Sequence, residues 1–250
     1  MRIAVISDIH GNCVALDAVL AHLNETAPDN LVCLGDAIQG GPQPAQVVQR
    51  LRGLACPVVM GNADAWLLTG EETGDEAISS ERLQTLKEIR LWSLAQLSPA
   101  DRQFIAAFRP TVELTLADNL TLLAYHGSPH SFDDLIFPDI TQEKLAGYLR
   151  GYAADVYCGG HTHVQFVRRI GDGPQLHFNP GSVGFAYAHH QEEGRFRAEP
   201  WAEYALLTVE RGCFALTFYR IPFAVDALIA SYQESGRPHA SAAIAQYAGR

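Results

Sequence analysis

Cysteine is sparse and unpaired in this chain of 250 residues. Cys13, Cys33, Cys56, Cys158 and Cys213 are scattered, odd in number and form no C-x-x-C pair. That excludes a disulfide framework and a thiolate zinc site, and it points to a reducing, cytoplasmic setting. Basic charge is also short: 18 Lys and Arg stand against 28 Asp and Glu, a net charge of -10. Phosphate backbones need clustered cations, so a long nucleic-acid partner is not expected. A small anionic substrate stays open, because bound cations reverse the field inside one cleft. No apolar run approaches the roughly 20 residues that cross a bilayer, so no membrane partner is expected. The opening MRIAVISDIHG has too short an apolar stretch for a secretory leader. Internal repeats, low-complexity tracts and Pro/Ser-rich linkers are missing too, which argues for a single domain over 1–250.

Short apolar runs alternate with amphipathic segments instead. Residues 2–7, 31–35 and 57–61 are β-branched-rich and read as buried strands. Between the first two, Asn12 is a plausible N-cap for a helix with Ala15, Leu16, Val19, Leu20 and Leu23 at helical spacing. Pro42 and Pro44 open a second helix, with Ala45, Val48, Leu51 and Leu54 on one face. Strand, helix, strand, helix, strand indicates a largely parallel, layered α/β core. Residues 77–109 read as helical with a break at Ser98-Pro99, and 65–109 as a small cap-like helical insertion. Further strands are expected around Asp118-Asn119, at 155–160, beside the turn 171–174 and around Arg211-Gly212. A helix near 224–234 is expected to precede a loosely held polar tail.

Nearly every predicted core strand ends in polar residues of metal-ligand type. Strand 2–7 ends in Asp8-Ile9-His10, 31–35 in Gly35-Asp36, 57–61 in Gly61-Asn62, 120–125 in His126-Gly127, and 155–159 in Gly160-His161-Thr162-His163. Layered α/β folds bind ligands beyond the carboxyl ends of their strands, so five such clusters would converge. Any one of these residues alone is ordinarily a turn former or a helix cap; the set is what points to a site. Two aspartates, one asparagine and four histidines form a mixed O/N donor set. It suits Mn, Fe or Zn better than Ca, with Mg or Ni also possible. Seven ligands exceed the needs of one tetrahedral zinc, and a shared carboxylate lets two cations account for all seven.

Taken together, Asp8-x-His10, Gly35-Asp36, Gly61-Asn62, His126 and Gly160-His161-x-His163 resemble the signature of the calcineurin-like metallophosphoesterases. Ser7-Asp8-Ile9-His10-Gly11-Asn12 and Asn179–Gly184 are similar to segments of the small prokaryotic, phosphodiesterase-type branch. The resemblance implies a four-layer α-β-β-α sandwich of two mixed sheets flanked by helices. It implies two divalent metal ions, one held by Asp8, His10 and His163, the other by Asn62, His126 and His161, with Asp36 bridging. It also implies hydrolysis of phosphate esters by a hydroxide between the metals, with Asp36, Asn62 and His126 as catalytic residues. Asn12 and Asn62 are its candidate substrate contacts.

Two departures from the family pattern bear on substrate. Ala63 stands where many members carry a histidine that assists the leaving group; Asp64, His130, His189 and His190 are the available proton donors. The run Asp36-Ala37-Ile38-Gln39-Gly40-Gly41 lacks the arginine with which protein phosphatases clamp a monoester dianion, which tilts the expectation toward diesters. A phosphomonoesterase or phosphoprotein phosphatase, a dinucleoside polyphosphate hydrolase and a non-catalytic metal-binding scaffold are the alternatives. Elsewhere bland readings apply. His22 and His239 read as surface residues, His177 as structural, Cys13 as a buried inert thiol, Asn179–Gly184 as a tight turn that could line the substrate mouth, and Arg195-Phe196-Arg197 as a solvated loop. The stretches around Trp92 and Phe104 leave oligomeric state open.

Overall fold

A computed structural model describes residues 1–71, 79–191 and 196–249. Alternation along the strands decides the layering. In β1 (Arg2–Ile6), Ile3 and Val5 enter one apolar cluster, while Ala4 and Ile6 enter another on the opposite face. The same division recurs in β8 (Trp201–Glu210), where Ala205, Leu207 and Val209 face one way and Tyr204 and Leu206 the other. Period-2 side chains that are apolar on both faces require cover on both faces.

The first sheet has the order β2-β1-β8-β9. It joins β2 (Asn30–Cys33), parallel to β1, to β8 and β9 (Cys213–Pro222), which are antiparallel. The second has the order β3-β4-β5-β7-β6. Its β4 (Thr121–Ala124), β5 (Val156–Cys158) and β7 (Leu176–Asn179) run parallel, flanked by antiparallel β3 (Val112–Thr115) and β6 (Phe166–Arg169). Leu122, Ala124, Val156, Cys158 and Phe178 meet Ile3, Val5, Ala205 and Leu207 between the sheets. Leu123, Tyr125 and Tyr157 turn outward and are covered by Leu145 and Leu149, the first from α6 (Gln142–Tyr148) and the second just after it. On the other side α1 (Cys13–Thr26) and α2 (Pro44–Leu54) cover the first sheet. The result is the expected pair of mixed sheets between helices.

Local chemistry sets the helix ends. Asn12 caps α1 by accepting from the Ala15 N–H at 3.0 Å, and Pro44 opens α2. The expected insertion takes in the end of α3 (Asn62–Thr69), then α4 (Ser80–Gln96) and α5 (Pro99–Ala106); residues 72–78 of it fall outside the described residues. Ser98 and Asp101 form a capping box with Pro99 in the first turn of α5.

Three expectations change. Residues 57–61 make only isolated bridges, Val58 to Cys33 and Val59 to Arg109. Pro57 has no N–H and α3 begins at Asn62, so too few residues remain for a ladder. The polar tail is not loose: after α7 (Val225–Ser235) comes α8 (Ala240–Ala245), and Ala243 and Tyr247 are buried against the first core cluster. His22 is half-buried and hydrogen-bonded through Nδ1 to the Tyr204 hydroxyl at 2.7 Å, so it is no plain surface residue. Among the described residues no helix is long and apolar enough to cross a membrane.

Candidate metal centre and cleft

The five polar clusters sit on the loops that follow β1, β2, the bridge at 58–60, β4 and β5. The carboxyl ends of these segments point to one edge of the sandwich. Backbone bonds lock the loops together. The Asp8 N–H donates to the Gly35 carbonyl at 3.0 Å, and the His10 N–H to the Asp36 carbonyl at 2.9 Å. The Gly160 N–H reaches the His126 carbonyl at 2.8 Å. Asp8, His10, Asp36, His161 and His163 all have positive φ, between 47° and 67°. Non-glycine residues rarely adopt this left-handed conformation, and they persist in it only where the surroundings over-determine it. Gly61 is required by close approach: a Cβ there would lie 2.1 Å from Asp36 Oδ1.

Two groups of donor atoms result, Asp8 with His10 and His163, and Asp36 with His126 and His161, each with its atoms within 4.8 Å of one another. Asp36 Oδ2 lies 3.8 Å from His10 Nε2 and 3.4 Å from His126 Nε2, so it stands between the groups. Asn62 Oδ1 lies 3.0 Å from His126 Nε2. Asn62 is the first residue of α3, with Gly61 as the cap; its side chain is turned to the site and does not cap the helix.

The donor chemistry fits cations. His10, His126 and His163 each place Nδ1 against a backbone carbonyl, those of Gln39 (2.9 Å), Leu34 (2.8 Å) and Phe185 (2.7 Å). An Nδ1–H donated there leaves the Nε2 lone pair facing inward, the arrangement of metal-bound imidazoles. His10 Nε2 and His163 Nε2 consequently face each other at 3.2 Å. Asp8 Oδ2 accepts the His161 N–H at 3.1 Å. Asp8 Oδ1 is buried with no hydrogen-bond donor, although His163 Nε2 lies 3.2 Å away. Such an orphaned carboxylate oxygen among imidazole lone pairs is stabilised by a positive ion.

Proton affinities say the same. Burial works against the Asp8 carboxylate, yet the charges of His163 and His126 hold its pKa down to about 2. Burial likewise opposes ionisation of Asp36, and His126 and His10 outweigh it and leave the carboxyl well below its ordinary range. At His126 burial disfavours the cation, but Asp36 prevails and lifts it to about 9. Burial wins at His161, lowering it to about 4.

Above this floor opens a cleft of about 670 Å³, many times the size of a phosphate and in the range that encloses whole small molecules. His10, Asp36, Asn62, His161 and His163 reach into it, while Asp8 and His126 are fully buried. Ala63 also lines the cleft, and its N–H donates to Asp36 Oδ1 at 2.8 Å.

Of the other sequence candidates, Asn12 does not line the cleft; its Nδ2 donates to the Gly184 carbonyl at 3.0 Å while Oδ1 caps α1, so both polar ends are engaged. Gly184 does line it, and the turn before it braces the first ligand: Ser182 Oγ donates to the Asp8 carbonyl at 2.8 Å. Asp64 is buried, accepting from the Ala37 and Ile38 N–H groups, and secures the Asp36 loop. His130 is bonded to the Arg150 carbonyl. His189 packs on Tyr187 with ring centres 4.6 Å apart, and Tyr187 lies 5.4 Å from His163. His239 is exposed and still lines the cleft. Cys13 is buried, with its thiol pushed up by burial to about 11, as an inert thiol should be. Arg195 lies outside the described residues. Sequence reasoning missed Trp66, Arg82, Tyr232 and Arg237, which line the cleft from the insertion and the C-terminal region; no motif marks them.

Residues 1–212 match the model of the calcineurin-like phosphoesterase superfamily domain. Phosphodiesterase YfcE of Escherichia coli strain K12 is 28% identical over 193 residues, covering 73% of this chain and 79% of that protein. The crystal structure of a metallophosphoesterase from Sphaerobacter thermophilus superposes with a TM-score of 0.71 at 25% identity, over 98% of both chains. That of hypothetical protein PH1004 from Pyrococcus horikoshii OT3 shares the fold with a TM-score of 0.78 at 19% identity, over 100% of this chain and 99% of that one. With its paired donor groups at the strand ends, this chain belongs to the calcineurin-like phosphoesterase superfamily.

Proposed function

We propose that the chain is a dinuclear metallophosphoesterase that hydrolyses phosphodiesters, folded as one domain with the helical insertion over 65–109 forming part of the cleft. The observation that carries this reading is the position of Asp36 between two donor groups, with imidazole lone pairs and an orphaned Asp8 oxygen aimed inward. Asp8, His10 and His163 would hold one divalent ion; Asn62, His126 and His161 the other; Asp36 would bridge. The donor set suits Mn, Fe or Zn. Such ions supply, when bound, an acidified water as nucleophile and charge neutralisation at the phosphoryl oxygens.

The chain's own contribution is positioning. Gln39, Leu34 and Phe185 carbonyls orient three imidazoles, so little reorganisation is needed in the reaction. The Ala63 N–H holds Asp36 Oδ1, leaving Oδ2 toward His10 and His126. Ala63 offers no proton, so the leaving group departs without help from that position. This favours good leaving groups, and the absence of an arginine in 36–41 favours diesters over dianionic monoesters.

The test is to strip purified protein with chelator, add back Mn, Fe, Zn, Mg or Ni, and assay bis(p-nitrophenyl) phosphate beside p-nitrophenyl phosphate. Two metals per chain with faster diester turnover is the expected result. Failure to bind two ions would sink the dinuclear assignment, and metal binding without turnover of either ester would favour a scaffold.

A further inference from the structure

The outer wall of the cleft is built by elements remote from the floor in sequence. Trp66 of α3 and Leu83, Leu86 and Ile89 of α4 give it an apolar surface; Tyr232, Ala242 and Ala243 add to it from α7 and α8. Two arginines also line the cleft beside this apolar wall, the exposed Arg82 and the half-buried Arg237.

Arg237 is fixed in place. Its Nε donates to the Gly40 carbonyl at 2.6 Å, an Nη donates to the Pro238 carbonyl at 2.9 Å, and the guanidinium lies over the Tyr232 ring, 5.3 Å from its centre. Gly40 in turn sits beside the His10 ring, so Arg237 stands at the rim of the metal-ligand floor. Burial weakens its cation; the Tyr232 hydroxyl supports it and the positive charge of Arg82 opposes it, with a net lowering of its pKa. Among the described residues no carboxylate forms an ion pair with either arginine. Asp133 also lines the cleft, and it is paired with neither. Two guanidinium groups lining one cleft without a carboxylate partner leave their donors available to an anion.

We propose that Arg82 and Arg237 form an anion subsite on the outer wall, and that the substrate is a phosphodiester whose second ester group is an apolar body carrying a further negative charge. The scissile phosphate lies on the floor, the apolar body spans the wall of Trp66, Leu83 and Tyr232, and its remote anion meets the two guanidiniums. This rests on the phosphodiesterase reading above and narrows it to a substrate class.

Two esters with the same leaving group test it: p-nitrophenyl phenyl phosphate, and the same compound with a para-carboxylate on the phenyl ring. With metal-loaded full-length protein, KM should be roughly tenfold lower for the carboxylated ester. Arg82→Gln and Arg237→Gln should bring the KM ratio toward one, and Arg237→Lys should restore part of it. Arg82→Gln guards against a structural effect, because Arg237 also braces Gly40. Equal KM values in the wild type, or an equal rise for both esters in Arg82→Gln, would overturn the subsite. Calorimetry with the two corresponding unreactive phosphonates separates the two readings. If neither ester is hydrolysed and the carboxylated phosphonate still binds about tenfold tighter, catalysis fails and the subsite stands; if the phosphonates bind alike, the subsite fails.

Discussion

Asp8 on the floor of the cleft and Arg237 on its outer wall are held in opposite ways. Asp8 is fully buried, its backbone in the left-handed region and bonded to Gly35, its carbonyl taken by Ser182 and Gly184, its Oδ2 by His161. Arg237 is half-buried, at the end of a long flexible stem, and is placed by two carbonyls and one ring. The floor is defined by backbone conformation and the wall by side chains from α4 and the C-terminal segment. A reaction common to a superfamily belongs on the first kind of support; a choice among substrates belongs on the second, where one substitution changes a contact without disturbing the fold.

The largest effect should come from striking the floor. Asp36→Asn removes the charge between the donor groups, and turnover should fall by at least about a thousandfold, with loss of bound metal measured by elemental analysis. Full metal content and activity in that variant would refute the bridging role. Next, Ala63→His places an imidazole on the cleft lining. It should speed hydrolysis of esters with poor leaving groups by about 10- to 100-fold while scarcely changing p-nitrophenyl esters. No change in the slope of rate against leaving-group pKa would show that another donor already acts.

A third test uses protons. In the metal-free chain His126 has its pKa lifted to about 9 and His163 is also raised. His126 is protonated near pH 7, so metal loading must expel a proton and affinity should climb with pH until about 9. Calorimetry in buffers of different ionisation enthalpy reads this, and zero proton release at pH 7 would contradict the donor assignment. The same shift makes His126 a stabilising group of the metal-free fold, fully so below its ordinary value of 6.5 and lost as pH rises through about 9.

The smallest effect lies behind the floor. His177 is fully buried, stacked on Phe166 with ring centres 5.4 Å apart, and neither ring nitrogen has a partner. Burial lowers its pKa to about 3, with the Arg168 charge adding to it. His177→Phe should stabilise by about 1–2 kcal/mol at pH 8 through removal of unpartnered polar atoms. The gap should widen on acidification below 6.5, because the wild-type unfolded chain takes up a proton that the folded chain refuses. A constant gap from pH 8 to pH 5 in denaturant titrations would show that His177 is solvated.

These contrasts also explain what was legible beforehand. The floor's residues were readable because each follows a short apolar run, so strand periodicity and ligand type marked the same positions. The two-sheet layering followed from the resemblance those residues carry, and the hairpins from turn chemistry at Asn119, Gly171 and Gly212. Residues 57–61 were misjudged because Val58 and Val59 look like strand while Pro57 and α3 leave them too little length. The tail reads as loose because α8 has only six residues with Ala243 buried, and the anchoring Tyr247 lies beyond it as a lone aromatic. Arg82 and Arg237 carry no sequence signal: their meaning arises only when α4 and the C-terminal helices meet over the floor.

The brace from Ser182, Val183 and Gly184 to the loop of Ser7 and Asp8 bears on the order of events at the ribosome. β1 pairs on one side with β8, which is made long after it. The first ligand loop therefore lacks its brace until Ser182, Gly184 and β8 have been made, although the last donor residue, His163, precedes all three. Before that brace forms, loose histidines would take whichever ion binds histidine most tightly; a choice of metal by rigid geometry would follow only once it is in place.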